Sequence, residues 1–440
     1  MRETDPWSLS GQVERAARSW RAWRRALLTG AGWDDDPFAE ERTATTRATF
    51  RWVGSLDASD PLREPLRRWV YRLLEQRVNR DYLVEVRRLG SAELHPLAPP
   101  LGGEWSLAEM LRRATAEPVR RKAWLEAWGD RTSRLSSAAG ILWQRRREVA
   151  RGLGLDHPDE IEAPAPELTA VARGWLRASD DLWATLRVRD LSGYLDVASG
   201  SGAEEGWPAR LTLRSVTGLL GSREWLSGVD SEPGRLPKAL GPASFLRALA
   251  RLGGAWSDAL GPAAEPFVVA HDAYGIRRRA LGALWGTLPL SPEFVRRQLS
   301  VPAFRKSAHL RALGGVVLSE ARRAALGVLL RAAALGRAGA WAEELPSLSR
   351  QALGVTLRPE WAGTLIRLHV DTPHRFAGLL LGMERAEVLR QTHDSDWFRN
   401  PRAIEELRAE AGSPAPTAVD PSALARARDV CLASVGAALG

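Results

Sequence analysis

Cysteine is almost missing. Cys431 is the only one in 440 residues, which excludes an internal disulfide framework and a cysteine-built structural zinc site. Lysine and asparagine are scarce too: only Lys122, Lys238 and Lys306, and only Asn79 and Asn400. No apolar run is long enough to span a bilayer, and even ALGVLLRAAALGRAGAWA is cut by Arg331 and Arg337. The opening MRETDPWSLS lacks the basic, apolar, small-residue order of a secretory signal. Together these absences predict a soluble, cytoplasmic protein with no membrane partner. Standard catalytic machines are missing as well. There is no G-x-x-x-x-G-K-[ST] phosphate loop, no G-x-S-x-G elbow and no strand–glycine–helix dinucleotide fingerprint.

Helical periodicity fills the chain. Residues 61–78 set Leu62, Leu66, Trp69, Val70, Leu73 and Leu74 on one stripe, with arginines opposite. The same pattern predicts helices over 133–152, 167–187, 243–260, 274–287, 292–299, 306–335 and 373–391. Ser106 with Glu109 reads as a capping box, and Ser291-Pro292 and Asn400-Pro401 read as cap-plus-proline helix starts. The predicted fold is all-α, a large two-lobed helical body around a groove with a small irregular or short-β insert. An amino-terminal lobe covers 1–190 and an irregular junction 191–241, with a short strand at RLTLR (210–214). A carboxy-terminal lobe covers 242–410, and 411–440 is a linker and terminal helix. Nineteen tryptophans fall mostly on apolar stripes, which makes them core fillers rather than a ligand cage.

The formal charge is +9, which favours anionic partners. Its distribution argues against nucleic acid. Arginines alternate with acids, and the clusters at 145–147 and 277–279 lack the flanking aromatics of a stacking module. A basic nucleic-acid or anionic-partner binding protein therefore stands as an alternative reading.

One stretch, PFVVAHDAYGIRRRALGALWGTLPLSPEF (266–294), carries the layout of a metal helix. In H-E-x-x-H, two histidines one helical turn apart bind zinc and the glutamate activates a water. Here the five positions are His271, Asp272, Ala273, Tyr274 and Gly275. The first histidine stands, the base is one methylene shorter, and glycine replaces the second ligand. His369 and His374, five apart across a proline, do not substitute for that pair. Plainer readings stand beside these. Asp272 can cap a helix beginning near Ala273, residues 277–279 can form a solvated face, and Glu293 suits the positive end of a helix.

These elements resemble the helical zinc oligopeptidases of the thimet oligopeptidase and oligoendopeptidase F type. QRRREVARGLGLDHPDEIEAP and ELTAVARGWLRASDDLWATLR are similar to their amino-terminal helices, and FVVAHDAYGIRRRALGALW to their metal helix. The resemblance spans residues 130–410. It implies a catalytically inactive relative that holds a peptide or partner protein in an inherited groove, with Tyr274, Arg277 and Arg278 binding. No cofactor is expected. The alternative is an active zinc-dependent peptidase with a rearranged site, in which His271 and Asp272 are the catalytic candidates. His271 and Glu293 would then hold the metal.

Overall fold

The apolar stripe of residues 61–78 becomes a buried helix face. Leu66, Trp69, Val70, Leu73 and Leu74 are buried along a helix running Arg63–Val78. The computed structural model describes residues 5–29, 35–203, 207–208, 211–212, 236–237, 239–261, 265–337, 340–366, 371–416 and 418–440. Its helices of eleven residues or more are numbered in chain order. They are α1 (Pro6–Thr29), α2 (Arg63–Val78), α3 (Ser133–Gly152), α4 (Leu168–Ala178) and α5 (Pro242–Ala259). Then come α6 (Ile276–Thr287), α7 (Lys306–Gly336), α8 (Ala340–Leu353), α9 (Thr372–His393), α10 (Pro401–Ala411) and α11 (Pro421–Leu439). The fold is all-α. No helix among the described residues is long and apolar enough to cross a membrane.

Helix starts follow local chemistry. Ser106 accepts the N–H of Glu109 at 3.3 Å, but the Glu109 carboxylate turns to Arg112 instead of closing the box. Ser291 accepts from Phe294 at 3.4 Å, and Asn400 accepts from Arg402 at 3.0 Å. The helix expected over 167–187 is broken. Arg322 of α7 donates to the Leu176 carbonyl at 3.0 Å and to the Ser179 hydroxyl at 2.6 Å. The chain restarts as a short helix, Asp180–Ala184.

α7 is buried on all sides between Leu313 and Leu335, as a helix apolar around its circumference must be. It packs on α3 and α4 from the first half and on α8, α9 and α11 from the second. The buried apolar residues form one connected cluster from Leu9 to Leu439. Thus the expected amino- and carboxy-terminal lobes share a single core. The terminal helix α11 docks on this same body, burying Leu424, Cys431 and Val435 against α9 and α7.

The small β element lies elsewhere than expected. It pairs β1 (His95–Pro96) with β2 (Glu104–Trp105) antiparallel, His95 opposite Trp105. In the 191–241 segment, Leu191–Ser199 is a regular helix rather than an irregular junction. Asp190 caps it at 2.8 Å and a left-handed Gly200 ends it. Leu211 and Thr212 are not in a strand; the rest of RLTLR lies outside the described residues, as does His369.

α6 is the tightest joint. α5 runs antiparallel to it, and α9 packs on another side. A Cβ on Gly282 would stand 2.8 Å from the Ala250 carbonyl oxygen, and one on Gly378 would stand 2.5 Å from Arg279 Cβ. Only glycine permits such backbone approach. That closeness brings the polar faces of α5, α6 and α9 around a common hollow.

Candidate functional site

The segment from Pro266 folds as a short helix (Phe267–Ala270), a loop over 271–275, and α6. Gly275 has φ +75° and stands just outside α6. His271 and position 275 therefore do not share a helical turn. Asp272 Oδ2 accepts the Ile276 N–H at 2.7 Å and Oδ1 accepts that of Tyr274 at 3.2 Å. It caps α6, three residues later than the Ala273 start suggested by the sequence.

His271 borders the hollow, and its carbonyl accepts from Trp69 Nε1–H at 2.7 Å. Burial, followed by the Arg21 charge, pushes its imidazole pKa down. Tyr274 is buried, with its ring stacked on His374 at 5.1 Å and its hydroxyl without a partner among the described residues. Arg68 and Arg72 lie over that ring at 5.1 and 5.4 Å, an arrangement in which the aromatic quadrupole attracts the cations. Arg277 is spent on the fold: it donates to the Ala411 carbonyl at 2.8 Å and to the Ser413 carbonyl.

Glu293 follows the far end of α6, whereas His271 precedes its start. Twelve residues of helix separate them, about 18 Å at the helical rise. Arg296 and Arg297 hold the Glu293 carboxylate at 2.6 and 3.0 Å. Among the described residues, no three or more His, Cys, Asp or Glu are grouped to hold a metal ion. Zinc does not fit the residues that the sequence offered for it.

What the loop borders is an arginine-lined hollow made of two adjoining cavities. One, of about 480 Å³, lies between α1, α2, the 270–275 loop and the start of α6. The other, of about 330 Å³, lies between α5, α6, α7 and α9. Arg278 and Arg279 line both. Three arginines here have carboxylate partners: Arg278 pairs with Asp258, Arg279 with Asp371, and Arg375 with Glu320 at 2.7 Å. Four others have none among the described residues. Arg24 and Arg72 stand in the larger cavity, Arg247 and Arg251 in the smaller. Arg72 only faces rings, those of Trp69 and Tyr274.

The electrostatics agree with this inventory. Arg24 is exposed on one side, and crowding by protein, followed by the Arg72 charge, lowers its pKa. Burial and then Arg247 lower that of Arg251. Arg323, outweighing the Glu320 carboxylate, draws Arg375 down to about 10. Burial alone would raise the Glu320 pKa, but Arg323, Arg375 and Arg247 hold it far below the ordinary carboxylate range. The hollow thus has an excess of fixed positive charge.

Of the residues that the sequence offered, His271, Asp272, Tyr274, Arg277 and Arg278 line the larger cavity. Sequence reasoning missed Arg24, Arg72, Arg247 and Arg251. The available signal was Arg247, Arg251, Gly254 and Asp258, spaced four, three and four residues apart on one face of α5. A charged face opposite an apolar stripe reads as solvated until a second helix is known to cover it.

No protein-family model and no curated protein matches this chain.

Proposed function

We propose that the protein binds a small multivalent anion in the arginine-lined hollow. One observation carries this reading: Arg24, Arg72, Arg247 and Arg251 line half-open cavities, and none of them has a carboxylate within ion-pair distance among the described residues. Gathering like charges in a partly desolvated space is unfavourable. A phosphate or carboxylate relieves that repulsion and offers oxygen pairs that match the guanidinium fork. Cavities of 330 and 480 Å³ have the size of small-molecule sites, whereas a duplex needs an open groove or ridge. The anionic-partner reading is therefore favoured over nucleic acid.

The test is calorimetric titration with sodium tripolyphosphate at low and high salt, with thermal unfolding in parallel. Binding raises the midpoint by mass action, and added salt weakens it by screening. Neither heat nor a midpoint shift at millimolar tripolyphosphate would overturn the proposal.

The reading as an inactive peptidase relative that holds a peptide uses the same hollow, because residues 270–275 line the larger cavity. It requires affinity for unmodified peptides. The active-peptidase alternative requires about one zinc per chain, read by elemental mass spectrometry.

A further inference from the structure

The two cavities share Arg278 and Arg279 but differ in their walls. Around its charged groups the smaller has mainly small and aliphatic side chains, with no aromatic ring among its lining residues. The larger is lined by Trp20, Trp23, Trp69, His271 and Tyr274. Six arginines and three aspartates line it too. Aromatic rings and an excess of cations therefore meet in one space.

Helix spacing sets the two features side by side. Trp20 and Arg24 are four residues apart on α1, and Trp69 and Arg72 three apart on α2, so each pair shares a helix face. Arg24 is exposed at the cavity, within electrostatic reach of Arg72 and then of Asp371, Arg279 and Arg278. Arg72 is half-buried, its guanidinium over the rings of Tyr274 at 5.4 Å and Trp69 at 6.0 Å. Trp20, Trp23 and Tyr274 are more than nine-tenths buried. Each keeps an N–H or O–H donor without a partner among the described residues. A bare anion uses the arginines and leaves these rings and donors idle.

Resting on the anion-binding reading above, we infer that the ligand of the larger cavity is a mononucleotide, a phosphate monoester carrying a nitrogen heterocycle. Its phosphate lies against Arg72 and Arg24. Its base lies against the tryptophans one helical turn away, where contact between π-systems favours any base. Base nitrogens and carbonyls accept hydrogen bonds from the unpartnered donors, which a plain phenyl ring cannot do. Gln76 and Ser257, in the same wall, offer polar partners to the ribose hydroxyls.

Calorimetry on the full chain compares four probes: adenosine 5′-monophosphate, ribose 5-phosphate, phenyl phosphate and adenosine. The nucleotide is expected to bind at least about tenfold more tightly than each of the others. Arg72→Gln should weaken the nucleotide and ribose 5-phosphate alike. Trp23→Leu should weaken the nucleotide about tenfold and leave ribose 5-phosphate unchanged. Arg251→Gln, in the smaller cavity, should change neither, and a loss there overturns the assignment to the larger one. Thermal midpoints check folding, and Trp20→Leu replaces a Trp23 variant that unfolds. Ribose 5-phosphate or phenyl phosphate binding as tightly as the nucleotide overturns this inference and leaves the anion reading standing. Adenosine binding as tightly refutes both. If none of the four binds, the nucleotide falls, and the anion reading falls with it only if tripolyphosphate also fails to bind.

Discussion

Asp272 accepts the Ile276 N–H at 2.7 Å and lies 3.8 Å from the buried Arg68 guanidinium. One carboxylate thus ends a loop, starts α6 and supplies charge to an arginine that is 4% exposed. The residue that most resembles a catalytic base in the sequence is a cap in the structure. Asp272→Ala is expected to cost about 2 kcal/mol or more, since a cap alone is worth about 1 and a buried charge loses its counter-ion. Asp272→Asn keeps one acceptor and should cost less. Urea unfolding measures both, and equal stability of wild type and the alanine variant would refute this role.

Converting 271–275 into the intact metal motif should fail. With Asp272→Glu and Gly275→His together, the two histidines stand across a loop, and position 275 keeps φ +75°, a conformation costly for a β-carbon residue. The expected result is no zinc uptake and a lower thermal midpoint. Stoichiometric zinc in the double variant would restore the peptidase reading.

His374 is fully buried, with Arg68 3.5 Å from its Nε2. Burial first, then the Arg68 charge, lowers its pKa well below the ordinary range; Arg331 and Arg72 add to this and Asp371 opposes it. The folded state keeps the ring neutral, while the unfolded chain takes up a proton below about pH 6.5. Below that pH the unfolded state binds more protons, so stability falls as pH drops, by up to ~1.4 kcal/mol per unit from this residue. Stability should therefore decline from pH 7 to 5. His374→Phe, which preserves a ring against Tyr274, should flatten that slope. An unchanged slope in the variant counts against the assignment.

Glu75 and Arg146 form a buried pair at 2.7 Å, bridging α2 and α3. Burial works against the Glu75 charge, but Arg146, Asn79 and Gln76 outweigh it and hold the carboxyl pKa below its ordinary value. The stability this group contributes is present above the unfolded carboxyl pKa and is lost as pH falls through the folded one. Glu75→Gln should cost about 3 kcal/mol, the usual penalty for leaving a buried charge unmatched. Glu75→Leu with Arg146→Met should recover most of that loss in denaturant unfolding. Additive losses from the two changes would contradict the pairing.

Helix positions were readable because the forces that set them are local. Apolar stripes at helical spacing, serine and asparagine caps, and proline at first turns act within a few residues, and α2, α3, α7 and α11 follow from them. The break at Ser179 was not readable, because Arg322 that makes it lies 143 residues away. The β pair at 95–105 was missed because two-residue strands have no periodicity to detect.

The sequence by itself determined an all-α chain, its main helices, and the altered histidine motif at 271–275. Only the tertiary structure decided what those residues surround. Arg24, Arg72, Arg247 and Arg251 come from three helices, and the motif before α6 lines the cavity that holds Arg24 and Arg72. Charge collected in this way depends on how closely helices approach, here set by Gly282, Gly378 and Gly382. On an isolated helix each of these arginines belongs to a solvated face. Packing instead gathers them around two cavities that share Arg278 and Arg279, the arrangement on which the anion-binding proposal rests.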